Sequence, residues 1–517
     1  MLLRSGGVET AMQWAAWLYE TIRRMILAVI LLYFLLLLAV SRLTAAKGGN
    51  DVFFRGGRQS PWYLVAFGMV GASISGITFV SVPGMVIHSG MSYLYTCFGF
   101  IFGYFAVAFL LLPVYYKLSL ITIYSVLKPL GNEAYKTGAA FFLLSKTMGA
   151  AARFYVPCYI IYQSMVQTLQ PTTPTPQPST LLFPLTVIAM VALIWVYTRR
   201  GGIKTLVWTD TLQTVCMFTA LLLIIYKVSE ALFPNLSGWS AVSSAFAAVF
   251  TQQSVPLDAV GASGWVSFLS GIFIVIVMTG LDQDMMQKNL TCRSLRDARK
   301  DMCAYGFAFF PANFLFLSLG VMLCMLCEGQ GTALPEKPDD LLTMFATTGR
   351  LGTAVMVFFA IGIVAAAFSS ADSALTALTT CFCVDILGME VGDDKQDTGA
   401  EKTRQRVHKG VAVAFVVCII LFHLFNNTSL IDAIYRLCSY TYGPLLGLFA
   451  FALLHKKHAC SLGPLSCFAC VSSPLLCLLL DNIVPAMTGY RFGYELLMLN
   501  GLITYAALEA ISQYKKK

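Results

Sequence analysis

The sequence predicts an all-α polytopic membrane protein, and three observations lead to that prediction. Of the 517 residues, 57% are hydrophobic and only 12% are charged, and the mean hydropathy is +0.73. The hydrophobic residues occur in long blocks, and a helix needs about 20 residues to cross the hydrocarbon core of a bilayer. A water-soluble chain of this composition would expose large apolar patches. Lipid is therefore the solvent that fits this sequence.

Thirteen blocks are long enough to form transmembrane helices. The block 25–43 is too long for a secretory signal, and no convincing cleavage site follows it. The short segments 232–264 and 328–348 are expected to hold surface helices. The twelve further spans are expected at 62–88, 93–115, 138–166, 181–198, 203–227, 264–287, 304–327, 352–388, 408–425, 432–455, 462–484 and 494–512.

The positive charges in the loops predict the orientation, because Lys and Arg are enriched on the cytoplasmic side. Alternate loops carry most of them, including those of 288–300 and 395–409, whereas the loops between carry few. This pattern predicts an extracellular N-terminal segment 1–24 and a cytoplasmic tail 513–517, although Arg23 and Arg24 do not fit it. The net charge of +9 has the same explanation and does not indicate a nucleic-acid partner.

The second block contains a segment of small residues, Gly71-Ala-Ser-Ile-Ser-Gly76. Two interpretations fit it. Small residues allow close packing against another helix. They also permit a break, and unwound backbone within a membrane is found where it lines a cavity. The carbonyl groups of such a break are good ligands for an alkali cation.

The ninth block offers a face of hydroxyl groups to such a break. Ala366, Ser369, Ser370 and Ser373 are spaced at i, i+3, i+4 and i+7 and so share one helical face, with Asp372 adjacent.

Acidic residues within the spans are the next indication of function, because an ionisable side chain is costly in a membrane. Asp210 and Asp372 occupy the same depth of their spans and are expected to be able to face one another. Asp282 and Asp284 lie at the inner end of the seventh block. There, a snorkelling side chain and an interface residue are equally good interpretations.

Five segments, in order, resemble the solute:sodium symporter family, which includes sodium-coupled transporters of sugars, proline, sialic acid, iodide and vitamins. They are 53–76, 115–127, 199–213, 282–300 and 365–378. The resemblance implies a LeuT-type fold of two inverted five-helix repeats, 62–227 and 264–455. The helix 25–43 precedes them and two helices at 462–512 follow. A broken helix would open each repeat, at Gly71–Gly76 and around Thr279-Gly280.

The resemblance also implies where sodium binds. The positions that match the family's main site are the carbonyl groups of Gly71, Ile74 and Ala366 and the hydroxyl groups of Ser369 and Ser370. Some members bind a second sodium ion, and the matching positions are Asp210, Ser369, Asp372 and Ser373. The family pattern has serine at the position of Asp372, so a carboxylate there would strengthen the second site or alter its proton behaviour.

Arg153 is the main indication of the substrate. It lies in the middle of the fourth span, too deep to snorkel easily, whereas Lys146 can reach the inner surface. A guanidinium binds a carboxylate bidentately. The sialic-acid branch of the resembled family uses an arginine on the corresponding helix, so an anionic solute is expected. Pairing of Arg153 within the protein is the alternative. The further expected substrate contacts are Ser73, Thr78, Phe79, Gln283 and Tyr440.

The sequence thus predicts a secondary transporter that couples Na⁺ to the uptake of a small organic solute, an anionic one by preference. Neutral-sugar symport, proton coupling through Asp210 and Asp372, and a sensor or channel on the same helices are the alternatives. An enzyme is not expected, since no metal-ligand spacing or nucleophile–base pair is evident. The expected partners are the solute, sodium and the bilayer, without nucleic acid or an obligate protein partner. The expected location is a bacterial inner membrane.

Overall fold

The chain folds almost entirely into helices. The computed structural model describes residues 28–44, 49–169, 181–251, 262–347, 349–390, 398–425, 430–455, 462–490, 492–493 and 495–516. Across these ranges, extended pairing is confined to one bridge between Ser60 and Cys292. The expected all-α class is confirmed.

The first half of the chain forms nine α-helices among the described residues, and a break divides the second expected span into two of them. A 3₁₀ helix, Ile123–Leu130, lies between the helix that ends at Lys117 and the one that begins at Asn132. The helices are α1 (Ala28–Thr44), α2 (Asn50–Arg55), α3 (Trp62–Ser73), α4 (Gly76–Ser89), α5 (Tyr93–Lys117), α6 (Asn132–Leu169), α7 (Leu182–Arg199), α8 (Gly201–Leu232) and α9 (Trp239–Thr251).

The second half of the chain repeats the pattern of a broken span followed by long helices. Its helices are α10 (Gly264–Gly280), α11 (Gln283–Asn289), α12 (Leu295–Gly329), α13 (Asp340–Ala346), α14 (Thr353–Ile386), α15 (Thr398–Phe425), α16 (Leu430–Leu454), α17 (Pro464–Thr488) and α18 (Leu496–Lys516). The short helices α9 and α13 fall in the two segments where surface helices are expected. The helix α18 continues through Lys516 and so includes most of the expected cytoplasmic tail 513–517, whose location stays a prediction.

By length and composition, 8 of the described helices could cross a membrane, or 10 if each bent pair counts as one span. The remaining expected spans coincide with α1, α6 and α16. Of these, α1 and the Ser439–Leu454 part of α16 are shorter apolar helices. The integral membrane class is thereby supported, whereas the total of thirteen spans stays a prediction. The expected N-terminal segment 1–24 lies outside the described residues.

Two spans are broken where the sequence predicts a break. The helices α3 and α4 meet at 63°, and α10 and α11 meet at 71°. In the first break Ile74 and Ser75 have extended backbone angles, and Ser75 caps α4 by accepting a hydrogen bond from the Thr78 amide. In the second break the Asp282 carboxylate caps α11 by accepting from the Asp284 amide. Side-chain caps replace the backbone partners that the helix lacks at its start.

Glycine allows the broken spans to pack closely against their neighbours. A Cβ on Gly71 would lie 1.9 Å from the Thr214 Oγ1 of α8, so the small-residue segment both contains a break and packs closely. The helices α5 and α10 meet in the same way, because a Cβ on Gly99 would lie 2.1 Å from the Phe268 carbonyl oxygen. The backbones of these helices approach each other without intervening side chains.

Candidate functional site

The first break contacts the serine face of α14. The helical hydrogen bonds of α3 end where the Ile74 amide donates to the Val70 carbonyl. The Ser370 hydroxyl donates to the Ala72 carbonyl at 3.0 Å and lies 3.3 Å from the Ala366 carbonyl oxygen. The structure thus brings the end of α3 and the 366–370 segment together, as the sodium-site expectation requires. Which atoms bind sodium stays a prediction.

A buried ion pair adjoins this contact. The Ser369 hydroxyl donates to Asp210 Oδ1 at 2.8 Å, and the Lys288 Nζ lies 2.8 Å from Asp210 Oδ2. These side chains are all but inaccessible to solvent. Buried charges are stable only when they are paired, so Lys288 is the counter-ion that keeps this carboxylate in the interior.

A second buried group of charges holds the second break. The Lys146 Nζ lies 3.0 Å from Asp282 Oδ2 and 2.7 Å from Asp284 Oδ2, and the Tyr442 hydroxyl donates to Asp282 at 2.8 Å. Both acids are buried, so they are not snorkelling side chains, and Lys146 does not extend to the membrane surface. Of the two interpretations of these acids, the structure supports internal contacts.

Asp372 has other partners. The Tyr197 hydroxyl donates to Asp372 Oδ2 at 2.6 Å, and the Ser373 hydroxyl donates to Oδ1 at 3.3 Å. Asp210 and Asp372 therefore each use their oxygens on different neighbours, and no hydrogen bond among the described residues joins the two acids.

A cavity of about 120 Å³ lies between the two broken spans. That is several times the roughly 15 Å³ needed to hold one water molecule, so a small organic solute fits it better than an ion alone. The lining is mixed, with hydroxyl and aromatic groups around one guanidinium. It consists of Ser73, Ser75, Ile77, Thr78, Val82, Tyr93, Phe100, Tyr104, Arg153, Ile274, Val275, Met278, Thr279, Met285, Tyr305, Phe309 and Asn313.

Arg153 is the one charged residue of this lining. Among the ion pairs of the described residues, none includes Arg153. The alternative, in which Arg153 pairs with a protein carboxylate, therefore has no support within the described part of the chain. A guanidinium that faces a cavity without an internal partner is suited to an anionic ligand.

Of the six expected substrate contacts, Ser73, Thr78 and Arg153 line the cavity, and the other three have different contacts. Phe79 is buried against Phe316 and Phe359 in the helix packing.

The two polar residues of that group are held elsewhere. Gln283 is bound through its side-chain amide to the Ile121 carbonyl and the Ile123 amide. The Tyr440 hydroxyl donates to Asp481 of α17 at 2.7 Å. The position of these residues along their helices does not show whether a side chain packs between helices, binds a neighbouring segment or lines the cavity.

Several cavity residues are not among those predicted from the sequence. Tyr305, Phe309 and Asn313 are spaced by four residues along α12 and so form one face, and that spacing was an available signal. The Ser73 hydroxyl contacts the Tyr305 hydroxyl.

The buried position of Lys288 is not predicted from the sequence either, because Lys288 and Arg404 both fall in segments that read as charged loops. Both side chains are buried. The spacing of Asp284 and Lys288 by four residues was a signal of a helical ion pair.

Comparison with known proteins identifies the family of the chain. The model of the sodium:solute symporter family matches residues 53–467, and the chain belongs to that family. It is therefore an integral membrane protein of the secondary transporter class, with Na⁺ as the coupling ion and a small solute as its cargo.

Curated relatives are identical to this chain at about a fifth of the aligned positions. The sodium/sialic acid symporter SiaT of Proteus mirabilis is 22% identical over 427 residues, which are 79% of this chain and 80% of that protein. The sodium-coupled monocarboxylate transporter 2 of Danio rerio is 23% identical over 423 residues, or 79% of this chain and 63% of that protein. The sodium/glucose cotransporter of Vibrio parahaemolyticus is 23% identical over 393 residues, or 72% of this chain and 68% of that protein.

A solved structure shares the fold. It is the substrate-bound outward-open state of a Na⁺-coupled sialic acid symporter, with a TM-score of 0.76, 18% sequence identity, and coverage of 94% of this chain and 98% of that one. The expected LeuT-type fold is confirmed by this match.

Proposed function

We propose that this transporter carries a small carboxylate-bearing solute into the cell together with sodium, by alternating access. The observation that carries the proposal is Arg153, the one charged group of the cavity between the broken helices. A planar guanidinium donates two parallel hydrogen bonds to a carboxylate, which gives both affinity and orientation. A neutral solute would leave this guanidinium without an anionic partner at the depth of the cavity.

The relatives are consistent with a carboxylate solute, although they do not all carry one. Sialic acid and monocarboxylates bear a carboxylate, and these are the solutes in the names of two relatives reported above. Glucose, in the name of the third, does not. The choice of a carboxylate therefore depends on Arg153 rather than on the relatives.

The sodium ion is proposed to bind at the first break. Its ligands are the carbonyl groups of Gly71, Ile74 and Ala366 and the hydroxyl groups of Ser369 and Ser370. The contact of Ser370 with the Ala72 and Ala366 carbonyls supports this site, because it places a hydroxyl group between the end of α3 and α14. Sodium that replaces this hydrogen bond would hold the broken helix against α14 and stabilise the state that accepts the solute.

We also propose the wider arrangement of the chain. The two repeats span 62–227 and 264–455, with one helix before them and two after them. We place the protein in a bacterial inner membrane, and the loop charges support an N-terminus outside and a C-terminus in the cytoplasm. It moves its solute without altering it chemically.

Uptake by proteoliposomes under a sodium gradient tests the proposal. Each solute of a carboxylate panel is paired with its own primary amide, which keeps the shape and removes the charge. The wild-type protein should take up the acid in preference, and Arg153→Gln should lower acid uptake by about 10-fold to 100-fold, the range expected for a lost charge-assisted hydrogen bond.

Arg199→Gln is the matched control, because the Arg199 guanidinium lies over the Trp195 ring, 5.0 Å from its centroid, and does not line the cavity. This variant should keep the preference for the acid. A wild-type protein that prefers the amides would show that the solute is not an anion. Unchanged acid uptake by Arg153→Gln would show that Arg153 does not bind the carboxylate and would remove the observation that carries the proposal.

A further inference from the structure

The carboxylate of Asp210 already has a cation beside it, and that cation belongs to the protein. The Lys288 Nζ is 2.8 Å from Asp210 Oδ2, and Ser369 donates to Oδ1. Asp210 and Lys288 are each 1% exposed and Ser369 is 0% exposed. Oδ1 therefore accepts a hydrogen bond, and Oδ2 lies in ion-pair contact with the ammonium group, both deep within the helices.

The second broken span explains why a lysine reaches this position. Lys288 is in the last turn of α11, the short helix that follows the break. Asp284, one turn earlier, is 4.0 Å from the Lys288 Nζ but only 2.7 Å from the Lys146 Nζ. Lys146 is therefore shared by the two acids of the second break, Asp282 and Asp284, and Lys288 is the ammonium group that pairs with Asp210.

The other groups expected at a second sodium site also have protein partners. Tyr197 and Ser373 both donate to the Asp372 carboxylate. Sodium is a hard cation that needs several oxygen ligands free to turn their lone pairs toward it. Here the oxygens of Asp210 and Asp372 face an ammonium group and three hydroxyl groups instead.

We propose that the Lys288 ammonium takes the place of a second cation beside Asp210, so that the transporter binds a single sodium ion, at the first break. An ammonium group and a sodium ion carry the same charge, and both bind carboxylate oxygens at short distance. The lysine is covalently attached and cannot leave. Its pairing with Asp210 is therefore independent of the sodium concentration.

This inference rests on the proposed function, because the single sodium ion is the one assigned to the first break. Beyond that function, the Lys288–Asp210 pair fixes the number of sodium ions bound per chain. It also gives the chain a residue that sets the ion-to-solute ratio.

Equilibrium binding of radioactive sodium to the purified full-length protein measures the number of ions directly. The wild-type protein should bind one ion per chain, and its sodium titration should have a Hill slope of about 1. Lys288→Gln keeps a side chain of similar length and removes the charge. It should bind two ions, with a Hill slope rising toward about 2, because sodium then becomes the counter-ion of Asp210.

Lys288→Arg is the charge-preserving control and should still bind one ion. If Lys288→Gln folds only in the presence of sodium, that result also supports the proposal, because the ion has replaced the ammonium group. Two ions bound to the wild-type protein, or one ion bound to a folded Lys288→Gln protein, would overturn it.

The outcomes separate this inference from the proposed function. A wild-type protein that binds no sodium at all would contradict the sodium site at the first break, and both proposals would fail. A wild-type protein that binds two ions and still takes up carboxylates would leave the proposed function in place and remove only the role of Lys288.

Discussion

Ser370 shows at the scale of one residue how the two parts of the site are joined. Its hydroxyl group lies within hydrogen-bond distance of the Ala72 carbonyl of α3 and the Ala366 carbonyl of α14. One hydroxyl hydrogen cannot satisfy both carbonyl oxygens well, because a hydroxyl group has a single O–H donor. A cation at the proposed site binds the Ser370 hydroxyl oxygen and the Ala366 carbonyl oxygen together, and the hydroxyl hydrogen then remains available to the Ala72 carbonyl.

Ser370→Ala is therefore expected to raise the sodium concentration needed for half-maximal stabilisation by about 10-fold, which corresponds to about 1.4 kcal/mol. Thermal unfolding of the purified protein, measured across a sodium series at constant ionic strength, gives this value because a bound ion raises the melting temperature.

Ser373→Ala is the matched control for this change. The Ser373 hydroxyl bonds to Asp372 and takes no part in the proposed sodium site, so its removal should leave the sodium response close to that of the wild-type protein. An unchanged sodium response in Ser370→Ala would remove this hydroxyl from the proposed ligands.

At the scale of the helix, each break needs partners for the backbone groups that it frees. The second break finds them in α5 and the connection after it. The Tyr115 hydroxyl donates to the Gly280 carbonyl at 2.8 Å, and the Tyr124 hydroxyl donates to the Leu281 carbonyl at 2.9 Å. An unsatisfied carbonyl group in a membrane costs several kcal/mol, so these tyrosines make the unwound segment stable.

The packing of the broken span that contains α10 against α5 depends on glycine. Gly99→Ala places a methyl group 2.1 Å from the Phe268 carbonyl oxygen, and α5 and α10 must separate to admit it. We expect the free energy of unfolding to fall by about 1–3 kcal/mol, the usual cost of overpacking. Thermal unfolding in detergent should show a lower melting temperature.

The chain offers a comparison within another helix. A Cβ on Gly149 of α6 would meet nothing within 4 Å, so Gly149→Ala should be neutral or stabilising by up to about 1 kcal/mol through reduced backbone entropy of the unfolded chain. Equal melting temperatures of the two variants would argue against close α5–α10 packing.

At the scale of the whole molecule, the features predicted from the sequence are those that depend on local composition. Apolar blocks predicted the spans, and the small residues of Gly71–Gly76 predicted the first break. The second break carries a weaker local signal at Thr279-Gly280, because its stabilising groups, such as Tyr115 and Lys146, come from distant parts of the chain.

The same distinction applies to the site. Arg153 was identifiable because a charge in the middle of an apolar span is rare. Lys288 was not, since its position near a loop concealed the fact that a helix break carries it into the interior. The contacts of Phe79 and Gln283 likewise depend on which helices pack together, which one sequence does not contain.

The ion pair between Lys288 and Asp210 has a consequence for the energy source of the whole transporter. One sodium ion and one monocarboxylate together carry no net charge, so their movement across the bilayer is electroneutral. The membrane potential, which otherwise contributes about 2.3 kcal/mol per charge per 100 mV, then does no work on transport. Only the sodium concentration gradient remains, and a tenfold gradient supports about a tenfold accumulation of solute.

Proteoliposomes in which a potassium gradient and valinomycin set the voltage should therefore take up a monocarboxylate at the same initial rate with the interior negative or at zero potential. Lys288→Gln, which adds a mobile positive charge for each solute, should become faster with the interior negative. A wild-type rate that follows the voltage would mean that more than one cation crosses with each anion. A single tethered ammonium group thus decides whether sodium-coupled uptake is electroneutral or is driven by the membrane potential as well.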